Sequence, residues 1–257
     1  MPIDSLASSP LSDGGTSAPC VYICGAGPGA LDLLTLRAYR LICSDAIDVV
    51  IYDRLVGADV LALIPSSVRK IYAGKACREH AMSQEEINSA MVEEARAGRR
   101  VLRLKGGDPL VFGRSGEEIR ALADAGVPFE IIPGVTAASA AAAACGFSLT
   151  HREGASSVRF VTGHRNAPAK NGVSYHPDRD AETTFVVYMG LVRMREITED
   201  LLRGGMPADT PCVAASAASL PDEKRLRSVL ASFAEDMQKA EMTSPCVAII
   251  GRAAGGA

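Results

Sequence analysis

Short apolar runs alternate with stretches whose apolar positions recur every three or four residues, so strands and helices take turns along the first half of this chain. Residues 21–24 form an apolar strand leading into Gly25-Ala26-Gly27-Pro28-Gly29. Leu33, Leu34, Leu36, Ala38 and Leu41 then predict a helix over 31–42. The β-branched run 48–52 reads as a strand ending at Asp53-Arg54, and 68–73 as a third strand. Ser83, followed by Glu86, predicts a capping box for a helix that turns Ile87, Ala90, Met91 and Ala95 inward and stops at Gly98. Strand 101–104 runs into Gly106-Gly107-Asp108-Pro109. Ser115 and Glu118 predict a second capping box, opening a helix that ends at Gly126-Val127-Pro128. Residues 129–132 make a further strand, and Pro133-Gly134-Val135-Thr136 turns into an alanine-rich helix through Cys145. The order predicts an α/β fold with a mostly parallel N-terminal sheet covered by helices.

The second half is less regular. Strands are expected at 158–162, ending in Gly163-His164, and at 183–188, ending in Met189-Gly190, with a long polar loop over 165–182 between them. Met194, Ile197 and Leu201 mark a helix before Gly204-Gly205. Strands at 212–215 and 246–250 flank a helix around 229–239. The expected organisation is a flexible tail over 1–19, an α/β domain over 20–135 and a second α/β domain over 136–257, with a cleft between the two domains.

Composition narrows the class without naming it. The 257 residues, 47% apolar and 22% charged, suit an ordinary globular protein. A net charge of −3 gives no bulk attraction to nucleic acid or to an anionic membrane. No apolar run reaches the ~18 residues of a membrane span. Residues 1–19 lack the basic start and apolar core of a signal peptide, so a cytoplasmic protein is expected. The seven cysteines include no C-x-x-C pair and fall mostly in apolar segments, which predicts buried small hydrophobes rather than a metal or disulfide framework. The four histidines are not spaced as a metal site.

Candidate chemistry collects in the loops after the strands. Gly25–Gly29, Asp53-Arg54, the Gly106–Pro109 turn, the 133–137 turn and Met189-Gly190 each follow a strand, and parallel strands would crowd such loops at one sheet edge, where α/β folds place ligands. The segment 103–114 is the most informative, because its glycines allow close backbone approach and its acid and three bases could meet charged groups. Gly25-Ala26-Gly27-Pro28-Gly29-Ala30 also fits the dinucleotide fingerprint G-x-G-x-x-A. Pro28 removes a donor that a pyrophosphate would use, and no acid closes the second strand at the usual ~20-residue spacing. Read by itself, Asp53 at a strand end could act as an acid or base or bind a cation, with an exposed carboxylate paired with Arg54 the favoured reading, and Lys75 reads as a solvated lysine in a turn.

Taken together, the motifs resemble the uroporphyrinogen-III C-methyltransferase family of the tetrapyrrole methylase superfamily. The resemblance rests on GAGPG, Tyr52-Asp53-Arg54-Leu55-Val56, Gly74-Lys75, the 103–114 segment, Pro133-Gly134-Val135-Thr136-Ala137, Leu149-Thr150-His151-Arg152, Thr162-Gly163-His164 and Tyr188-Met189-Gly190, in family order. It implies a two-domain homodimer that uses S-adenosyl-L-methionine in the interdomain cleft, releases S-adenosyl-L-homocysteine, and methylates uroporphyrinogen III at C2 and C7 to precorrin-2. Cofactor contacts implied by the motifs fall on Pro28, Gly106, Gly107, Asp108, Thr136, Ala137, Met189, Ala218 and Cys246. Asp53 and Lys75 match positions assigned in the family as proton acceptor and donor, which reverses the reading made from the residues alone. Arg54, Arg103, Lys105, Arg114 and Arg152 are candidates for the substrate's carboxylates, and Arg103, Lys105 and Arg114 equally for anchoring their loop. No metal, nucleic acid or membrane is implied.

Some positions depart from the family pattern. Ala30-Leu31-Asp32 stands where an acid usually follows the glycine, Ser115 replaces a glycine, and the 214–219 stretch lacks a polar signature. The dehydrogenase/ferrochelatase module of multifunctional sirohaem synthases is missing from these residues, so methylation alone is expected. The competing readings are a relative acting on a later precorrin and, from a different class, a nicotinamide-dependent oxidoreductase.

Overall fold

The computed structural model describes residues 20–74, 82–164 and 173–255. They fall into two compact units that divide after Thr136. In the first, strands β1 (Val21–Gly25), β2 (Val49–Tyr52), β3 (Arg69–Tyr72), β4 (Val101–Lys105) and β5 (Phe129–Ile132) form one sheet in the order β3-β2-β4-β1-β5. Every pairing in it is parallel.

β1 and β4 are buried along their whole length, which is why they carry apolar residues on both faces. Tyr22, Cys24, Leu102 and Leu104 pack with Leu41 and Val60, from the helices Leu36–Ile42 and Ala58–Ala62, on one face. Val21, Ile23 and Val101 pack with Met91 and Leu122, from the helices Gln84–Arg96 and Ser115–Asp124, on the other. Each such buried aliphatic side chain contributes roughly 1.5–3 kcal/mol. Because side chains alternate along a strand, Arg103 and Lys105 share the face of Val101 and point into the second helical layer.

Three local features differ from what the sequence predicts or sharpen it. The helix expected over 31–42 is broken: a 3-10 turn at Leu31–Leu33 precedes the helix Leu36–Ile42. Thr35 sits between them in extended conformation, and its hydroxyl accepts from the Ala38 amide at 3.2 Å, so an N-cap interrupts an otherwise helical pattern. The capping box of Ser83 and Glu86 is present, with reciprocal bonds of 3.1 and 2.6 Å. The second capping box is absent. Arg114, with φ 56°, is the N-cap; Ser115 is the first helical residue and donates to the Pro109 carbonyl at 2.6 Å. Glu118 turns away from the helix start because two buried cations, Arg103 and Lys105, hold it more strongly than a single neutral amide could.

The second unit has a mixed sheet. Strands β6 (Ser157–Thr162), β7 (Thr183–Tyr188), β8 (Pro211–Ser216), β9 (Lys224–Val229) and β10 (Cys246–Ile250) lie in the order β6-β7-β10-β8-β9. Only β6 and β7 pair in parallel. The alanine-rich helix Ala137–Cys145 sets Ala138, Ala141 and Ala142 on one face of this sheet, against Val186, Val213, Ala215 and Ile249. The helices Met194–Arg203 and Phe233–Lys239 cover the other face with Met194, Ile197, Leu201, Phe233 and Met237. β9 is not apparent from sequence, since an edge strand reading KRLRSV carries too little apolar signal.

Cys24 and Cys212 are buried thiols, and Cys20, Cys43, Cys145 and Cys246 are half-buried; all six are free. Burial pushes the Cys24 thiol up to about 12 and raises that of Cys212 as well. Both therefore act as small hydrophobes. Among the described residues no helix is long and apolar enough to cross a membrane.

Candidate active site

The parallel register of the first unit sets the ends of four strands side by side. Gly25 of β1 faces Lys105 of β4, Tyr52 of β2 faces Leu104, and Cys24 faces Ile132 of β5. The loops that follow, carrying Gly27, Asp53, Gly107 and Gly134, therefore share one edge of the sheet. Two of them are joined directly: the Gly107 amide donates to the Gly27 carbonyl at 2.6 Å, and the Gly27 amide donates back at 3.2 Å.

The glycines here serve loop-to-loop contact as much as any ligand. A Cβ on Gly25 would stand 2.6 Å from the Gly107 carbonyl oxygen and 2.7 Å from the Gly134 nitrogen, so neither neighbour leaves room for a side chain. A Cβ on Gly106 would meet Leu55 Cβ at 2.7 Å. Asp108 adds a polar clasp. Its Oδ1 accepts from the Leu110 amide at 2.7 Å, and its Oδ2 accepts from the Gly134 amide at 3.1 Å, tying the β4 loop to the β5 loop. Its carboxylate is thus engaged by backbone donors.

Asp53 does not pair with Arg54, which is exposed. Its partner is Arg103, whose Nη2 donates to Asp53 Oδ1 at 2.7 Å. The Arg103 guanidinium is 2% exposed and is held from two further sides. Nε donates to Glu118 Oε1 at 2.9 Å, and Nη1 donates to the Ile51 carbonyl at 3.4 Å. Lys105 Nζ donates to the same Glu118 oxygen at 2.8 Å, and Gln84 approaches it at 3.3 Å. Of the two roles expected for Arg103 and Lys105, anchoring is the one these contacts serve, because both charges are met by the protein's own carboxylates.

Glu118 is the residue that sequence reasoning missed. The sequence pattern places Glu118 in a capping box at a helix start, where an acid serves the exposed helix end. It is instead fully buried, and only its Oε1 is bonded; Oε2 has no hydrogen-bond partner among the described residues. Burial by itself would raise its carboxyl, but Arg103 and Lys105 more than offset that and hold it below the ordinary glutamate value. Burial, with Arg103 beside it, lowers Lys105 in turn, and Glu118 opposes that shift. The available signal was parity: two basic residues on the helix-facing side of a buried strand require an acid in the layer above.

The remaining candidates range from half-buried to exposed. Arg114 is exposed and makes a bidentate pair with Glu117 at 2.8 and 2.7 Å. Pro28 and Thr136 are half-buried beside the strand ends of the first unit. In the second unit, Ala137 opens the alanine-rich helix, whose Ala138 amide donates to the Tyr188 hydroxyl at 3.1 Å. Met189 follows β7 and is exposed, Cys246 starts β10, Ala218 follows β8, and Arg152 is exposed in the bend closed by the bridge between His151 and Ala155. Lys75 lies outside the described residues. Among the described residues, six non-glycine residues adopt positive φ, and five of them are Phe112, Arg114, Met189, Ala217 and Ser219. All five sit in or beside the candidate loops, where strained backbone commonly gathers at functional positions.

Interlocked loops at the carboxyl ends of parallel strands, with a fixed carboxylate at their edge, are where α/β proteins bind small molecules. Residues 20–234 match the model of the Tetrapyrrole (Corrin/Porphyrin) Methylases. The chain belongs to that family, the wider group within which its motifs resemble the uroporphyrinogen-III C-methyltransferases. The uroporphyrinogen-III C-methyltransferase of Paracoccus denitrificans is 46% identical over 234 residues, covering 91% of this chain and 81% of its own. The siroheme synthase of Hahella chejuensis is 45% identical over 249 residues, covering 97% of this chain and 52% of its own. The chain spans about half the length of the siroheme synthases it matches. The crystal structure of uroporphyrin-III C-methyl transferase from Thermus thermophilus complexed with S-adenyl homocysteine is 42% identical. It aligns with a TM-score of 0.75 over 91% of this chain and 97% of that one.

Proposed function

We propose that this protein methylates uroporphyrinogen III at C2 and C7, using S-adenosyl-L-methionine and giving precorrin-2 on the route to sirohaem or cobalamin. The observation that carries the reading is the 46% identity to the Paracoccus enzyme across 91% of the chain. When bound, S-adenosyl-L-methionine supplies a sulfonium methyl group to an electron-rich ring carbon, forming a C–C bond as the S–C bond breaks. The residues suit such a ligand. Pro28, Gly106, Ala137 and Ala218 offer main-chain groups past small side chains, Met189 an exposed thioether, and Thr136 and Cys246 short side chains, while Gly107 spends its own amide and carbonyl on Gly27 and holds the loop in place. Asp108 keeps the loop of Gly106 and Gly107 in shape through its two backbone bonds.

In this reading Asp53 accepts the proton that the alkylated pyrrole must lose. Its Oδ1 is held by Arg103, which leaves Oδ2 to meet the substrate. Lys75 is carried over as proton donor from the family motif. Arg54 and Arg152 are exposed and are the bases offered to the substrate's carboxylates; Arg114, also exposed, would exchange Glu117 for such a carboxylate. A homodimer is likewise carried over from the resemblance.

Incubating the purified chain with uroporphyrinogen III and isotopically labelled S-adenosyl-L-methionine is expected to give a product heavier by two labelled methyl groups. Folded protein that binds the methyl donor but transfers nothing to uroporphyrinogen III would overturn the substrate assignment. Sedimentation at micromolar concentration checks the dimer.

A further inference from the structure

We propose that Glu118 is a positioning residue for the Asp53 carboxylate and acts on it through Arg103. The inference rests on the reading of Asp53 as proton acceptor and goes beyond it, because Glu118 touches neither Asp53 nor the exposed edge of the sheet.

Three observations support the chain of contacts. Glu118 Oε1 lies 2.9 Å from Arg103 Nε, and Arg103 Nη2 lies 2.7 Å from Asp53 Oδ1, so one rigid guanidinium spans both carboxylates. A planar fork gripped at one edge can turn little at the other, which converts the place of Glu118 into an orientation for Asp53. Second, burial grades along the chain. Glu118 is fully buried, Arg103 is 2% exposed, and Asp53 is 31% exposed by side chain. The fixed end is in the core and the working end reaches solvent. Third, charges match: Arg103 and Lys105 balance Glu118 and Asp53, so removing Glu118 alone leaves two buried cations competing for Asp53.

A purely mechanical role is the competing account, since Glu118 also joins β4 to the helix Ser115–Asp124. Lys105 passes beneath the loop as well, its Cε 3.2 Å from where a Cβ on Gly113 would stand. The two accounts differ in whether the effect of Glu118 depends on Asp53.

The test is a double-mutant cycle in the full chain with Glu118→Gln, Asp53→Asn and the pair. Turnover, KM for uroporphyrinogen III, and affinity for S-adenosyl-L-homocysteine are measured on each. Glu118→Gln is expected to lower kcat by about tenfold or more, as misplacement of a catalytic group does. KM and product affinity should stay within about twofold. In the Asp53→Asn background the same change is expected to cost nothing further, because residues acting as a unit are not additive. Equal losses in both backgrounds, or a single variant with unchanged kcat, would overturn the proposal. Wild-type turnover in Asp53→Asn would instead remove the proton-acceptor reading itself. If Glu118→Gln does not fold, the charge-balanced pair Lys105→Met with Glu118→Gln replaces it in the cycle, with the same outcomes required.

Discussion

Gly25 and Gly107 meet so closely that a methyl group on the first would lie 2.6 Å from the carbonyl oxygen of the second. The contact is backbone against backbone, with no flexible side chain to move aside. Gly25→Ala is therefore expected to destabilise the fold by about 1–3 kcal/mol, the usual cost of overpacking. It should also weaken S-adenosyl-L-homocysteine binding by shifting the loop of Gly106 and Gly107. Thermal unfolding and calorimetric titration check it, and a variant matching wild type in both would contradict this account.

Gly116 gives the opposite expectation. It lies in the helix Ser115–Asp124, and an added Cβ would meet nothing within 4 Å. Gly116→Ala should stabilise the protein by roughly 0.5–1 kcal/mol through helix propensity alone. A lowered melting temperature would show that the helix start tolerates less than its open surroundings imply.

Met189 carries a side chain where its backbone favours none, with φ 53°. Replacing it by glycine removes a left-handed penalty of about 1 kcal/mol. If the thioether contacts the methyl donor, Met189→Gly should keep or gain stability while losing affinity for S-adenosyl-L-homocysteine by tenfold or more, on the order of 1.4 kcal/mol. Unchanged affinity would remove Met189 from the cofactor contacts.

Acid should unfold the protein in part through two carboxylates. Burial pushes Glu118 upward and is outweighed by Arg103 and Lys105; burial likewise opposes, and Arg159 with the His176 amide outweighs, at Asp180. Both end below their ordinary values of 4.5 and 3.8. A carboxyl depressed in the fold stabilises above its unfolded value, and that contribution is lost as pH falls through the folded value. The melting temperature is expected to hold through neutral pH and to fall below about pH 4.5. The gap between wild type and Glu118→Gln should narrow over the same window. Curves that stay parallel down the acid limb would show that Glu118 is not ionised in the fold.

The legible part of this molecule is the part written in local pattern. The strand-and-turn order of 20–132, the capping box at Ser83 and the alanine-rich helix each follow from spacing within a few residues. Thr35 and Ser115 mark where that reading fails. Both look like ordinary helix residues or caps, and only the neighbours they meet in three dimensions decide which. β9 is illegible for a related reason: an edge strand buries little, so it needs little apolar sequence.

The candidate site divides the same way. Asp53, the paired glycines 106 and 107, and Met189 stand out because they end strands or belong to motifs. What Asp53 pairs with does not. Arg54 is its neighbour in sequence, yet Arg103, fifty residues away, is its partner, because β2 and β4 lie side by side in parallel register. The sequence by itself determined the order of strands over 20–132 and the family, since hydrophobic period and motif spacing are local properties of the chain. Only the tertiary structure decided that Arg103 and Lys105 turn inward to Glu118 and that the glycines of separate loops lock together. Strand pairing and helix packing bring those residues within contact, and no spacing along one chain encodes the distance between two strands.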